Sequence, residues 1–317
     1  MLVVRDLRKQ YVDGTDALAG ISFELRRGEV LAVLGPNGAG KTSMVEIVTG
    51  SRSRTSGSVE LLGADPADRS AMQRLRARVA VVAQSAAHLR YLTVRETLEM
   101  HRAYYATPRS VGELLALVGL DDSADQRVRQ LSGGQQRRLD VAVALVGRPE
   151  VVFLDEPTTG FDPAARRRAW QVIASLARMG TSIVLTTHYM EEASTLADRV
   201  LVLRAGAIVG EGTPEELAGS LALETRISAR LPLALVASEL PPLVRAGISD
   251  DEGREGCFEV RTMEPTATLA ALTSWAIAHG HELVELRVEP PTLEASYLAL
   301  TGDAAMPVVV TPMEVDA

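Results

Sequence analysis

Short apolar runs alternate with stretches of helical period over the first two-thirds of the chain. Glu29–Leu34, Val79–Ala83, Val151–Glu156 and Ser182–Thr186 read as strands, most of them buried on both faces. Leu2–Val4 and Ile21–Leu25 alternate instead, as half-buried antiparallel strands do, with Asp13-Gly14 marking a turn between them. Ser58–Leu62 supplies another strand, and Val200–Leu203 with Ala207–Val209 close the series. From Thr93 to about Leu120 the pattern turns helical, with Leu92, Val94, Leu98, Leu114, Leu115, Leu117 and Val118 as expected buried positions. Ser132 is a natural N-cap for a helix carrying Leu139, Val141, Ala142 and Leu145, and Asp162-Pro163 opens another. Thr213-Pro214-Glu215-Glu216 is a capping box with proline at the first helical position.

Composition shifts near Gly219. Beyond it, strand-like Thr225–Leu231, Cys257–Arg261 and Leu283–Val288 alternate with helical Leu233–Leu240, Thr268–Ala278 and Thr292–Leu300, enough for a small α/β domain. Ser249–Gly256 reads as an exposed loop, and the tail from Gly302, with Pro307 and Pro312, is expected to be loosely ordered. The expected organisation is therefore a large domain over 1–220, a small α/β domain over 221–302 and a flexible tail over 303–317.

The stretch Gly35-Pro36-Asn37-Gly38-Ala39-Gly40-Lys41-Thr42-Ser43 sits between a buried strand and the first turns of a helix. That is the setting a phosphate-binding loop requires. Glycines at 35, 38 and 40 let successive N–H groups point inward, and the helix presents its positive end to the same spot. Lys41 would neutralise β- and γ-phosphates, and the Thr42 hydroxyl would coordinate a Mg²⁺ bridging them. Only Lys9 and Lys41 are lysines among the 33 basic residues, so a compact ammonium at 41 is a chemical choice. Ser132-Gly133-Gly134 at a helix start makes a second anion site. Asp155 ends a neighbouring strand, where it can hold Mg²⁺ through water, and Glu156 beside it can orient and deprotonate an attacking water. His188 and Gln84 each follow a strand toward the same sheet edge, where ligands of parallel sheets collect.

Charge is uneven: 27 basic and 26 acidic residues fall in 1–220, against 6 and 15 in 221–317. Neither part has the basic excess of a nucleic-acid binder or of a direct binder of anionic lipid. The single cysteine, Cys257, cannot form an intrachain disulfide, which suits a reducing cytosol. Arg5, Asp6, Arg8 and Lys9 break up the N-terminal segment, so no signal peptide is expected, and no window reaches the ~20 apolar residues of a membrane-spanning helix.

Together these residues resemble the nucleotide-binding domain of ATP-binding cassette (ABC) proteins, over residues 2 to about 220. In the family's order stand an aromatic (Tyr11), the Walker A loop (Gly35–Ser43), a Q-loop (Gln84) and the signature Leu131-Ser132-Gly133-Gly134-Gln135. Walker B (Val151–Asp155) with Glu156, a D-loop around Gly160-Phe161-Asp162 and the H-loop His188 follow. The resemblance implies a P-loop NTPase fold with a RecA-like core, an antiparallel β subdomain and a helical subdomain. It implies that Tyr11 stacks on adenine, that Lys41 and the loop amides bind phosphate, and that Thr42, Gln84 and Asp155 serve Mg²⁺. Glu156 is implied to polarise water and His188 to sense the γ-phosphate. Ser132, Gly133, Gly134 and Gln135 would close on the ATP of a second copy, with Asp162 communicating across that interface. Phe161, Ser43 and Ser85-Ala86 depart from the commonest family residues.

Soluble cassette ATPases acting on nucleic acid or ribosomes usually carry two cassettes or a long coiled coil between Walker A and the signature. This chain has one Walker A and about ninety residues between those motifs. Pro290–Gly302 is similar to the C-terminal helix of daunorubicin-resistance-type drug-exporter cassettes, with Ala295-Ser296-Tyr297 replacing the usual acidic-apolar-aromatic triplet. The expectation is an exporter subunit that binds and hydrolyses ATP, paired with a second cassette and a separate permease at the cytoplasmic face of the membrane.

Overall fold

In the computed structural model, residues 1–82, 89–220, 224–230, 240–245, 257–289 and 291–301 are described. The chain opens with β1 (Leu2–Gln10) and β2 (Asp16–Leu25), then β3 (Val30–Leu34) and α1 (Lys41–Val48). Next come β4 (Ser56–Leu61), α2 (Arg69–Leu75), β5 (Val79–Val82), α3 (Val94–Arg102) and α4 (Val111–Val118). α5 (Gly133–Ala144), β6 (Val151–Asp155), α6 (Pro163–Arg178), β7 (Ser182–Thr187) and α7 (Met190–Leu196) follow. β8 (Arg199–Arg204) and β9 (Ala207–Gly212) complete this part, and α8 (Pro214–Ser220) comes next.

Two sheets organise it. β1 lies between β2 and β4 in an antiparallel sheet whose register puts Leu2 opposite Leu25 and Leu61, and Val4 opposite Phe23 and Val59. Directly opposed residues share a face, so this alternation makes one apolar side, which packs with α1 and one face of the larger sheet. The turn between β1 and β2 is closed by the Gly14 amide donating to the Tyr11 carbonyl at 3.0 Å. The larger sheet runs β5-β6-β7-β3-β8-β9, parallel except for β9. β3, β6 and β7 are buried along their whole length, as strands covered on both faces must be. Its second face packs with α3, α4, α5 and α6 through residues such as Leu98, Leu114, Leu139, Leu154 and Leu176.

The helical period read from Thr93 to Leu120 is not one helix. α3 stops at Arg102 and α4 begins at Val111, with Pro108 and the N-cap Ser110 between them. The Thr93 capping box with Glu96 is present. Leu92 and Leu117 are half-buried rather than buried.

The chain divides into two compact units, with the break between Pro214 and Glu215, at the start of α8. Besides α8, the second unit holds β10 (Thr225–Arg230), α9 (Pro242–Arg245), β11 (Cys257–Thr262), α10 (Pro265–Ala278), β12 (Val284–Glu289) and α11 (Leu293–Thr301). β10 is central between β11 and β12, and Ile227 and Val260 pack with Leu240, Val244, Leu272 and Trp275. The expected helix over 233–240 falls almost wholly on residues outside those described, and the expected loop over 249–256 and the tail lie entirely outside them.

Leu114 is fully buried among the helices over the parallel sheet. Leu114→Ala is expected to cost about 2–5 kcal/mol of unfolding free energy, read as a lower midpoint in urea at unchanged slope.

Candidate functional site

Strand order builds the site. β6, β7 and β3 are neighbours and parallel, so their C-terminal ends lie side by side. β3 feeds the glycine loop, β6 ends at Asp155 with Glu156 next, and β7 leads to His188. Three segments distant in sequence thus reach one sheet edge.

The loop's glycines are required by space. At Gly40 φ is +106°, and a Cβ would stand 2.3 Å from the Ala17 carbonyl oxygen; at Gly35 it would stand 2.4 Å from that of Leu203. Gly40 is the N-cap of α1 and offers no side chain to the helix's first amides, so these donors are left to an anion. Asn37 and Gly38 are exposed, whereas Ala39 is buried. Thr42 is exposed beside the loop, and Ser43 is hydrogen-bonded to the Tyr11 hydroxyl at 2.9 Å. The Tyr11 ring also has Lys9 Nζ and the Arg52 guanidinium each 5.2 Å from its centroid.

Lys41 is buried. Its Nζ donates to the Gly35 carbonyl at 2.7 Å and the Pro36 carbonyl at 3.1 Å, and lies 3.1 Å from Glu156 Oε1. Glu156 Oε2 accepts from the Thr159 hydroxyl at 3.1 Å and has His188 Nδ1 at 3.5 Å. That His188 nitrogen is buried and makes no hydrogen bond. Burial alone would raise the Glu156 carboxyl; hydrogen bonding and charge from Lys41, with Thr159 and His188, outweigh it and hold the group below its ordinary value. Its backbone is strained, with φ at +47° in a non-glycine residue, and its amide donates to both the carbonyl and the hydroxyl of Thr186 at 3.1 Å. The same Thr186 hydroxyl donates to Asp155 Oδ1 at 2.5 Å.

Ser132 caps α5 through a capping box with Gln135, whose amide also reaches the Ser123 hydroxyl at 3.0 Å. Ser132 and Gly133 are exposed, and Gly134 is half-buried. Asp162 caps α6, accepting from the Ala165 amide at 2.8 Å. Tyr11, Lys41, Ser132, Gly133, Glu156 and Asp162 line one open cleft of about 1230 Å³. Gln84 lies outside the described residues.

Several residues here are not marked by any motif. Thr186 and Thr159 hold the two carboxylate positions. Arg137 of α5 donates to the carbonyls of Asp155 and Pro157. It stands one turn before the buried Val141, a cation in phase with an apolar stripe, which is the signal the sequence does offer. Behind the site, Glu192 of α7 is fully buried and accepts from the Thr158 hydroxyl and Trp170 Nε1, each at 2.9 Å. Burial raises its carboxyl above the ordinary value despite these opposing hydrogen bonds.

A family model for ABC transporters matches residues 18–159, and one for the C-terminal domain of ABC-transporter-domain-containing proteins matches 225–292. The chain is 35% identical to the daunorubicin resistance ATP-binding protein DrrA3 of Streptomyces coeruleorubidus, over 95% of this chain and 96% of that protein. It is 36% identical to the Nod factor export ATP-binding protein I of Cupriavidus metallidurans, over 95% and 97%. Among solved structures, CbiO1 of Clostridium perfringens, part of an ABC transporter complex, superposes with a TM-score of 0.62 at 28% identity, over 69% of this chain and 90% of that one. An ATP-binding cassette solved as a dimer in a post-hydrolysis state with ADP and Pi gives 0.61 at 26%, over 67% and 98%.

The fold and site define a P-loop ATPase of the cassette class. The chain belongs to the ABC transporter family, as an ATP-binding protein.

The folded chain prefers Glu192 protonated, so the stability this carboxyl supplies is full below its ordinary value of 4.5 and is lost as pH rises through its raised folded value. Glu192→Gln should therefore match the wild type in acid and exceed it progressively in melting temperature as pH rises above that ordinary value. Curves that stay parallel throughout would contradict this.

Proposed function

We propose that this chain is the ATP-hydrolysing subunit of an exporter of small molecules, working with a second cassette and a separate membrane permease. The observation that carries the reading is the buried Lys41 ammonium, set between two loop carbonyls and a carboxylate at a helix start with no side-chain cap. The Glu156 carboxylate on that ammonium stands in for an anionic phosphate oxygen. The cradle accordingly fits the terminal phosphates of ATP, held by Lys41 and the amides of Gly38, Gly40, Lys41, Thr42 and Ser43, with Tyr11 toward the base. Thr42 and Asp155 offer the hard oxygens that suit Mg²⁺, which binds few protein groups when phosphates and water complete its shell; Gln84 belongs to the same proposed set. When bound, the metal supplies charge neutralisation on the phosphates.

Glu156 has to leave Lys41 to work as a base. Freed of that neighbour its carboxylate regains basicity, and it then orients a water and accepts its proton at Oε. His188 Nδ1, buried and uncommitted, is the group assigned to the γ-phosphate. Ser132, Gly133, Gly134 and Gln135 are assigned to the triphosphate gripped by a second copy, and Asp162 to the contact between copies. The dimeric cassette among the structural relatives supports this pairing, and the relatives named for drug resistance and Nod factor export support the direction of transport. Among the described residues no helix is long and apolar enough to cross a membrane, and the reading gives the spanning path to the permease, with this chain peripheral at the cytoplasmic face.

Glu156→Gln is expected to keep ATP binding, to lower phosphate release by roughly 10²–10⁴-fold, and to accumulate a nucleotide-bound dimer on size exclusion with ATP and Mg²⁺. Turnover at the wild-type rate would remove Glu156 from this role.

A further inference from the structure

Helix α5 carries the signature residues at its start and, one turn later, a guanidinium that reaches under the hydrolytic site. Arg137 is only 8% exposed. Its Nε donates to the Pro157 carbonyl at 3.2 Å, its Nη2 to the Asp155 carbonyl at 3.1 Å, and its Nη1 lies 3.4 Å from Asp140 Oδ2. The two carbonyls belong to the residues on either side of Glu156.

That placement matters because Glu156 adopts a left-handed backbone that a glutamate does not choose by itself. Such a conformation persists only where the surroundings over-determine it. From β7, Thr186 holds the Glu156 amide; from α5, Arg137 holds the carbonyls flanking it. A planar fork with donors at fixed angles can serve both carbonyls at once, whereas an ammonium is a single point on a flexible stem. Burying a guanidinium with two of its donors on neutral carbonyls is also a costly way to glue a helix to a sheet, for which apolar side chains of similar volume would serve.

We propose that Arg137 is a positioning residue for hydrolysis: by gripping the backbone on both sides of Glu156 it sets the aim of that carboxylate and makes the aim depend on where the signature helix sits. The proposal rests on the reading of Glu156 as the base. Motion of α5, whose N-terminus is the segment assigned to the second copy's nucleotide, is thereby transmitted to the carboxylate that handles the water.

The test uses the full chain with Arg137→Lys, and Arg137→Gln as the second variant, each alone and combined with Glu156→Gln. ATP turnover is measured beside nucleotide affinity by displacement of a fluorescent ATP analogue. A misdirected carboxylate is expected to lower kcat by roughly 10–100-fold with affinity changed by less than about twofold. In the Glu156→Gln background the same substitution should change the residual rate by less than about twofold, because the group it aims is no longer a base. Equal losses in both backgrounds, a parallel loss of affinity, or an undiminished kcat in either variant that folds would overturn the proposal. If Glu156→Gln alone turns over normally, the role proposed above for Glu156 fails; if it is slow while Arg137→Lys is not, only the present inference fails.

Discussion

The buried pair of Lys41 with Glu156 is the contact on which the site depends, because it joins two strand ends that do not touch. β3 and β6 are separated by β7 in the sheet, and the pair closes over the end of that middle strand, whose continuation carries His188. Desolvating two charges costs on the order of several kcal/mol per ion, offset here by mutual attraction and by the Gly35 and Pro36 carbonyls. An ion pair balanced this closely is a modest source of stability and a sensitive point of exchange. Any anion that satisfies Lys41 better releases Glu156, and the basicity of that carboxyl changes with the same event.

The support around the pair comes from the loop beside it and from elements far apart in sequence, and each supplies a constraint of a different kind. Thr186 on β7 fixes the amide of Glu156 and the carboxylate of Asp155 with one hydroxyl. Arg137 on α5 fixes the carbonyls, and Thr159 on the following loop steadies the carboxylate itself. Glu192 secures Thr158 from below, tying that loop to α7 and so to the segment after His188. The result is a carboxylate whose backbone is held from three directions while its side chain keeps only exchangeable partners.

What the amino-acid order discloses is mostly local. The glycine spacing before Lys41, the hydroxyl and glycines at the head of α5, and the adjacent carboxylates after β6 follow from steric and electrostatic rules acting over a few residues. The convergence of these segments could be anticipated because runs buried on both faces imply parallel strands and a common ligand edge. The break between α3 and α4 shows the limit in the other direction: apolar period carried across Pro108, but the backbone did not. The Tyr11 hydroxyl on Ser43, the reach of Arg137 and the burial of Glu192 depend on partners 18 to 34 positions away and leave only faint marks, such as a cation in phase with an apolar stripe.

The glycine that begins α1 has one more consequence. Because Gly40 brings no side-chain oxygen to the first turn, the amides there are completed by whatever anion the loop accepts, so that anion doubles as the missing end-piece of the helix. Folding and occupancy then share one equilibrium: a ligand present at a hundred times its dissociation constant would add about 2.7 kcal/mol to the native state. The resistance of this protein to heat and proteolysis becomes a gauge of how much nucleotide surrounds it.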